Sequence, residues 1–181
     1  MNKHWIIGSL VGGLIVFLWQ FISWAAVNFH SVNQQYTPNQ EAILECLKTN
    51  ITEDGSYFMP NVAPNTSSED HQKLMESSVG KPWAVVSYHK EMNGGMGMNM
   101  LRGFTADIVA VLLLCWLFSM IPSIDIKKGA FICVVIGLIG YLTTEYSLTI
   151  WFKHNSWPDL LDAIVPWTLC GAWLGYWFDR N

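Results

Sequence analysis

The sequence predicts an all-α membrane protein, a four-helix transmembrane bundle with a small α+β extracytoplasmic domain inserted between helices 1 and 2. Three observations predict this class. Only 13% of the 181 residues are charged, against about a quarter in an average soluble domain. Most of these charges lie between Glu41 and Arg102. The rest of the chain contains four mostly apolar stretches of roughly the 17–25 residues that a helix needs to cross a bilayer.

The first predicted span is the most apolar, since no Asp, Glu, Lys or Arg occurs between His4 and Glu41. It exceeds the roughly 7–15 residues of a signal-peptide core, so we expect an uncleaved anchor. Pro122 ends the second span, because proline interrupts helical hydrogen bonding. The predicted spans are Trp5–Val27, Phe104–Ile121, Gly129–Phe152 and Leu160–Phe178. The predicted domains are 1–29 as transmembrane helix 1, 30–101 as the extracytoplasmic domain and 102–181 as helices 2–4.

The distribution of basic residues predicts the orientation. Four spans place both termini on one side of the membrane, and cytoplasmic flanks carry an excess of Lys and Arg. Lys3, Lys127, Lys128 and Arg180 lie on the side of the termini, and Lys90, Arg102 and Lys153 lie on the other. We therefore expect cytoplasmic termini. Because Cys46 is the only cysteine of the insertion, no disulfide framework is expected there, which favours a bacterial inner (plasma) membrane.

The insertion shows helix and strand signals. Thr37 as N-cap, with Pro38 at the first helical position, predicts one helix, and Ser67 or Ser68 caps a second. The segment from Lys81 to His89 is rich in β-branched and aromatic residues and predicts a strand that pairs with Tyr57–Met59. Cys46 lies beside apolar positions of the first helix, and we expect it to be a buried thiol. A domain of this size has a marginal core, so we expect it to pack against the membrane helices or against another protein.

A methionine-rich stretch precedes the second span. Thioethers at short spacing suit Cu(I), and a histidine nearby supplies a nitrogen ligand. Glycines at 94, 95 and 97 favour the alternative of a flexible hinge, in which methionine is an adaptable apolar side chain. We favour the hinge and expect no cofactor, with copper as the alternative. The candidate metal ligands are His89, Met92, Met96, Met98 and Met100.

Carboxylates inside the predicted spans form a second candidate site. Ionisable residues in spans are rare and usually face the bundle interior or a water-filled cavity. Helical rise places three of them in the outer half of the membrane, where Lys153 and Arg102 are the expected counter-ions. The alternatives are a pocket for a ligand or ion and a structural network of ion pairs, of which we favour the network. The candidate pocket comprises Asp107, Glu145, Asp162, Arg102 and Tyr141.

Histidines and motifs give little sign of catalysis. His30 and His154 follow the outer ends of their predicted helices, outside the positions of a haem pocket within a bundle. The sequence lacks Gly-x-Ser-x-Gly, His-Glu-x-x-His and Gly-x-x-x-x-Gly-Lys motifs. No catalytic residue is therefore predicted, and an enzymatic function is not favoured.

Glycines four residues apart predict close helix contacts. Small residues at this spacing let helix backbones approach each other in lipid. Gly8 and Gly12 lie in the first helix, and Gly171 and Gly175 lie in the fourth. We expect the two pairs to pack the first helix on the fourth, with a contact to a partner as the alternative.

These patterns predict a non-enzymatic accessory or assembly subunit of a membrane complex. The alternatives are a copper-handling protein that uses the methionine stretch and a small transporter or sensor that uses the carboxylates. The expected partners are the lipid bilayer and a second protein or a second copy of the chain. A net charge of -4 without a basic patch gives no reason to expect nucleic-acid binding.

Overall fold

The computed structural model describes residues 3–180, which are mostly helical and include one two-stranded sheet. The chain divides into two compact units. The helical unit comprises Met1–Gln35 and Gly95–Asn181, and the inserted unit comprises Tyr36–Gly94. In chain order the elements are α1 (Lys3–Phe21), a π-helical turn (Ile22–Ala26), a 3-10 helix (Phe29–Asn33), α2 (Gln40–Asn50), β1 (Gly55–Met59), α3 (Ser68–Ser78), β2 (Ala84–Tyr88), α4 (Met96–Phe118), α5 (Ile126–Thr143), α6 (Glu145–Phe152) and α7 (Trp157–Asp179).

Three helical segments among the described residues are long and apolar enough to cross a membrane. They are Lys3–Ala26, Met96–Phe118 and Ile126–Phe152. The fourth predicted span falls in α7, which has the length but is not among them. Its tryptophans, prolines and aspartates lower its mean hydropathy below that of the other three.

The third predicted span is not the continuous helix that we expected from Gly129 to Phe152. At Thr144 the backbone leaves helical geometry, with φ -111° and ψ -80°, so that α5 ends at Thr143 and α6 begins at Glu145. The Thr143 and Thr144 hydroxyls donate back to the carbonyl oxygens of Ile139 and Gly140, at 2.7 and 2.8 Å. Threonine bonds of this kind compete with the helical ladder and bend helices.

The interior of the helical unit lies where α1 meets α4 and α7, and where α7 meets α5. Side chains on the opposite faces are exposed and apolar, as expected for helices surrounded by lipid rather than by water. The buried core consists of Val16, Val111, Leu114, Cys115, Phe118, Ile124, Cys133, Cys170 and Leu174.

The glycines of α1 face its two neighbours. A Cβ atom added at Gly12 would lie 2.7 Å from Cγ1 of Val111 on α4 and 3.0 Å from Sγ of Cys170 on α7. One added at Gly8 would lie 3.1 Å from Sγ of Cys115. The predicted contact of the first helix with the last is therefore present, and α4 shares it.

The glycines of α7 pack elsewhere than we expected. A Cβ atom at Gly171 would clash with the carbonyl oxygen of Gly129, and one at Gly175 with that of Asp125. These backbones belong to α5 and to the residue that precedes it, so the α7 glycines do not serve the contact with α1. Both glycine pairs thus bring helices of the same chain together.

The inserted unit contains the predicted strand pair. β1 and β2 are antiparallel, with Tyr57 opposite Val86 and Phe58 opposite Val85, which confirms the predicted pairing. The helix cap predicted at Ser67 is also confirmed, because its hydroxyl accepts a hydrogen bond from the Asp70 N–H at 3.1 Å.

The cap predicted for the first inserted helix is wrong. Helix α2 begins at Gln40, and Asn39 occupies its N-cap position without a side-chain hydrogen bond. The Thr37 hydroxyl instead accepts from the Asn39 N–H at 3.3 Å, which forms a turn before the helix. Because Thr37 uses its oxygen on that turn, the helix starts later than predicted.

The inserted unit buries little of its apolar surface. Among its residues, 36–94, Tyr88 is the only one that is buried. Cys46 is exposed, so the predicted buried thiol is wrong. Ile43 and Leu44 on the same face of α2 are exposed as well, so the inserted unit leaves most of this face uncovered.

Candidate functional site

A buried histidine lies between two carboxylates of α7. His30 belongs to the 3-10 helix after the first span and is only 3% exposed. Its Nε2 lies 2.9 Å from Oδ2 of Asp162, and its Nδ1 lies 3.8 Å from Oδ1 of Asp159. The two aspartates share a helix face, since residues three apart are neighbours on a helix surface. His30 therefore presents one ring nitrogen to each.

Aromatic and polar contacts hold His30 in this position. The ring of Trp24 stacks on the imidazole with centroids 3.7 Å apart and planes 7° from parallel. Trp19 donates its indole N–H to Oδ1 of Asp162 at 2.8 Å. Asn33 and Asn155 exchange two hydrogen bonds, of 2.7 and 3.0 Å. The end of α1 and the segment after it are thus fastened to the start of α7.

A second group of ionisable side chains shares Asp159. One ligand atom each of Glu145, His154 and Asp159 lies within 4.8 Å of the other two, and all three residues are partly buried. Glu145 begins α6, and His154 follows Lys153, whose left-handed backbone (φ 47°) ends α6. His154 also lines an open cleft of about 540 Å³. We call the whole set the helix-end cluster: Trp19, His30, Glu145, His154, Asp159 and Asp162.

The predicted carboxylate pocket is only partly assembled. Glu145 and Asp162 both belong to the helix-end cluster, Glu145 close to Asp159 and Asp162 against His30. Asp107 instead accepts a hydrogen bond from the Gln20 side chain at 3.0 Å. Its other oxygen is buried and has no hydrogen-bond partner among residues 3–180.

The expected counter-ions are not the ones that the structure uses. Within the part of the chain that the structure describes, Arg102 and Lys153 form no ion pair with these carboxylates, and the His30 imidazole lies against Asp162 and Asp159 instead. The Tyr141 hydroxyl is hydrogen-bonded to the Ser156 hydroxyl at 2.9 Å, beside the same cleft.

The methionine stretch is more helical than its glycines suggested. Met96, Met98 and Met100 all lie in α4, where residues two apart point to opposite sides. Met96 and Met100 therefore share a face that Met98 does not. His89 and Met92 belong to the inserted unit, in which His89 lies 3.3 Å from the Ser87 hydroxyl and 3.8 Å from Asp54. The role of the stretch in copper binding stays a prediction.

Sequence reasoning missed four members of the helix-end cluster, since Trp19 was not singled out either. It weighed His30 and His154 only as haem ligands, and it did not single out Asp159. One signal was available, since Asp159 directly precedes the predicted fourth span and lies three residues before Asp162, a spacing that shares a face if the helix begins earlier. The partner of that face, His30, is 132 positions from Asp162, a distance over which helical periodicity carries no information.

No family model matches the sequence, and no curated protein or solved structure is detectably similar to it. Inferences about function therefore rest on the geometry of the two units.

Proposed function

We propose that the chain is an integral protein of a bacterial inner membrane that crosses it four times, with both termini in the cytoplasm. Support for a fourth span comes from α7, whose 23 residues pack along α5 and α1, both within candidate spans. The orientation follows from the basic residues near the span ends. The inserted unit is then extracytoplasmic.

Cys46 offers a direct test of this orientation. It is exposed, whereas Cys115, Cys133 and Cys170 are buried in the helical unit. A membrane-impermeant maleimide applied to intact spheroplasts should label the chain, and the Cys46→Ser variant should stay unlabelled. Labelling only after the spheroplasts are lysed would place the inserted unit in the cytoplasm.

We further propose that the protein is a non-enzymatic accessory or assembly subunit whose inserted unit binds another polypeptide. The observation that carries this proposal is the unburied apolar surface of that unit. On the sheet face opposite Tyr88, Phe58 is 37% and Val85 47% exposed, next to Trp83 at 42%. Exposed apolar patches on small domains typically mark interaction sites.

A polypeptide suits this surface better than lipid does. The sheet has only two strands, so each strand has one edge without a strand partner among the described residues. Sheets of only two strands are marginally stable in water unless a further strand or a helix packs on them. A segment of another protein can add a strand, supply the missing backbone hydrogen bonds and cover the apolar face at once. Acyl chains can do only the last of these.

The test is native mass spectrometry of the protein released in mild detergent from its own membrane. We expect a defined complex with a second polypeptide. The variants Trp83→Ala and Val85→Thr should weaken the complex at least tenfold, because they remove apolar surface while Thr retains the preference of Val for a strand. Val79→Ser is the matched control, since Val79 is 82% exposed but lies at the end of α3, outside the sheet.

The outcomes separate the possible occupants of the sheet face. A mass of one bare chain with lipid would refute the subunit proposal, and a mass of two bare chains would replace the partner with a second copy. Equal loss of the complex in Val79→Ser and Val85→Thr would show that the sheet face is not the binding surface.

A second candidate function, ion binding for transport or sensing, is favoured by the convergence of Glu145, His154 and Asp159. It uses the helical unit alone and needs no protein partner. Replacing Glu145 by Gln should then abolish the response of the protein to its ion while leaving the complex with the partner intact.

A further inference from the structure

We infer that Glu145, His154 and Asp159 form a binding site for one divalent transition-metal ion of the zinc class. The site lies wholly within the helical unit and does not depend on the proposed protein partner. Its ligands come from three local structures, namely the first residue of α6, the loop after α6 and the first turn of α7.

The three side chains converge without bonding to one another. Their ligand atoms lie within 4.8 Å of each other, yet among residues 3–180 the side chains of Glu145 and His154 form no hydrogen bond or ion pair. A tetrahedral zinc ion with bonds of about 2.1 Å holds its ligand atoms about 3.4 Å apart. Side-chain rotations that move each ligand atom by about 1 Å would therefore close the three ligands around an ion.

The charges at the site favour a cation. Two carboxylates approach each other in a partly buried place, and no Lys or Arg among the described residues pairs with either. Like charges at this distance repel, and the repulsion grows as water is excluded. A divalent ion removes it and gives the side chains of Glu145 and His154 a partner that no residue of 3–180 provides.

The donor set identifies the class of ion. One imidazole nitrogen and two carboxylate oxygens suit Zn²⁺ and its divalent neighbours, whereas Cu(I) prefers sulfur ligands. Three protein ligands leave a coordination position open. Of the three ligands, His154 also lines the open cleft of about 540 Å³, together with Tyr141 and Ser156, so solvent reaches this ligand.

His30 is a positioning residue for Asp159. Its Nδ1 lies 3.8 Å from the Asp159 carboxylate, and Asp162 and Trp24 fix the orientation of its ring. Loss of a hydrogen-bonded outer partner typically lowers metal affinity by about 10- to 100-fold. Because 3.8 Å is longer than a hydrogen bond, we expect the effect of His30 at the lower end of that range. His30, held by Trp24 and Asp162, thus supports the metal ligand Asp159.

The experiment measures zinc binding to the full chain in detergent after chelator treatment. We expect one Zn²⁺ per chain, and a loss of affinity of at least about 100-fold in Glu145→Gln, His154→Ala and Asp159→Asn. The matched controls are Glu53→Gln and His71→Ala, which remove an exposed carboxylate and an exposed imidazole from the inserted unit. Both controls should bind zinc as the parent chain does.

A second readout separates direct ligation from a structural effect. Co²⁺ in the site should give a visible absorption spectrum. The His154→Ala variant should change the shape of that spectrum, whereas the His30→Gln variant should keep its shape but bind Co²⁺ with lower affinity. Zinc stoichiometry near zero in the folded parent chain, or unchanged affinity in all three ligand variants, would overturn the proposal. Loss of binding in His71→Ala, or in a variant with Met96, Met98 and Met100 changed to Leu, would place the metal elsewhere.

The zinc and partner proposals fail independently. The variants Trp83→Ala and Val85→Thr should leave zinc binding unchanged, and Glu145→Gln should leave the protein complex unchanged.

Discussion

Replacement of Gly171 by Ala should separate α5 from α7. The added Cβ atom would clash with the carbonyl oxygen of Gly129 and lie 2.7 Å from the Cβ of Cys133, against about 3.5–4.0 Å for an ordinary carbon contact. Overpacking of a core costs about 1–3 kcal/mol. Because a backbone carbonyl cannot rotate away as a side chain can, we expect a value near 3 kcal/mol. For a chain of this length that lowers the Tm by about 6–12 °C.

The measurement is thermal unfolding in detergent, followed by the fluorescence of the 10 tryptophans. Gly140→Ala is the matched control, because a Cβ atom at Gly140 would meet nothing within 4 Å and alanine favours the helix. Gly8→Ala should fall between the two, since its closest neighbour is the Cys115 side chain at 3.1 Å. Equal Tm values for Gly171→Ala and Gly140→Ala would refute the close contact between α5 and α7.

Three further substitutions test single interactions by the same unfolding measurement. His30→Ala should destabilise the helical unit by about 2–4 kcal/mol, since it empties a buried position and removes a partner of Asp162; a change below about 0.5 kcal/mol would mean that this contact is absent. Ser67→Ala should lower the free energy of unfolding of the inserted unit by about 1 kcal/mol, and Asn39→Ala should lower it less, because the Asn39 side chain forms no cap hydrogen bond. The reverse order would contradict the caps described. Asp107→Asn should raise the Tm, because the amide keeps an acceptor for Gln20 and replaces an ionisable carboxyl group, one of whose oxygens is buried and unpaired among residues 3–180. A lower Tm would indicate that this oxygen has a partner.

Local patterns were enough to predict much of the fold. Length and hydropathy located three candidate spans, and β-branched residues located the pairing of Tyr57–Met59 with Ala84–Tyr88. They did not predict the break at Thr144, because threonine is common in apolar helices. The break depends on which carbonyl its hydroxyl bonds to, and the sequence does not encode that in its periodicity.

The candidate site was harder to predict, because its geometry depends on contacts between distant segments. Asp162 and Glu145 were singled out because charges in apolar segments are rare, and both lie in the helix-end cluster. The partners of these carboxylates were not predicted, because the basic residues Arg102 and Lys153 were the expected counter-ions. The structure instead places His30 against α7 through the stacking of Trp24 and the hydrogen bond of Trp19 to Asp162. Neither of these aromatic contacts follows from charge or spacing.

The position of the inferred metal site gives it a structural consequence. All three ligands lie within residues 145–159. This segment follows the end of α5 and contains the short helix α6, the loop after it and the first turn of α7. An ion there would link α6, the loop and α7 at the point where helical hydrogen bonds are interrupted. Zinc at 100 times its Kd would stabilise the folded chain by about 2.7 kcal/mol. Since that energy would be released only in the folded arrangement of this turn, hydrogen exchange should slow first in residues 144–159 when zinc is added. Protection that appears instead in the inserted unit would show that the ion binds there.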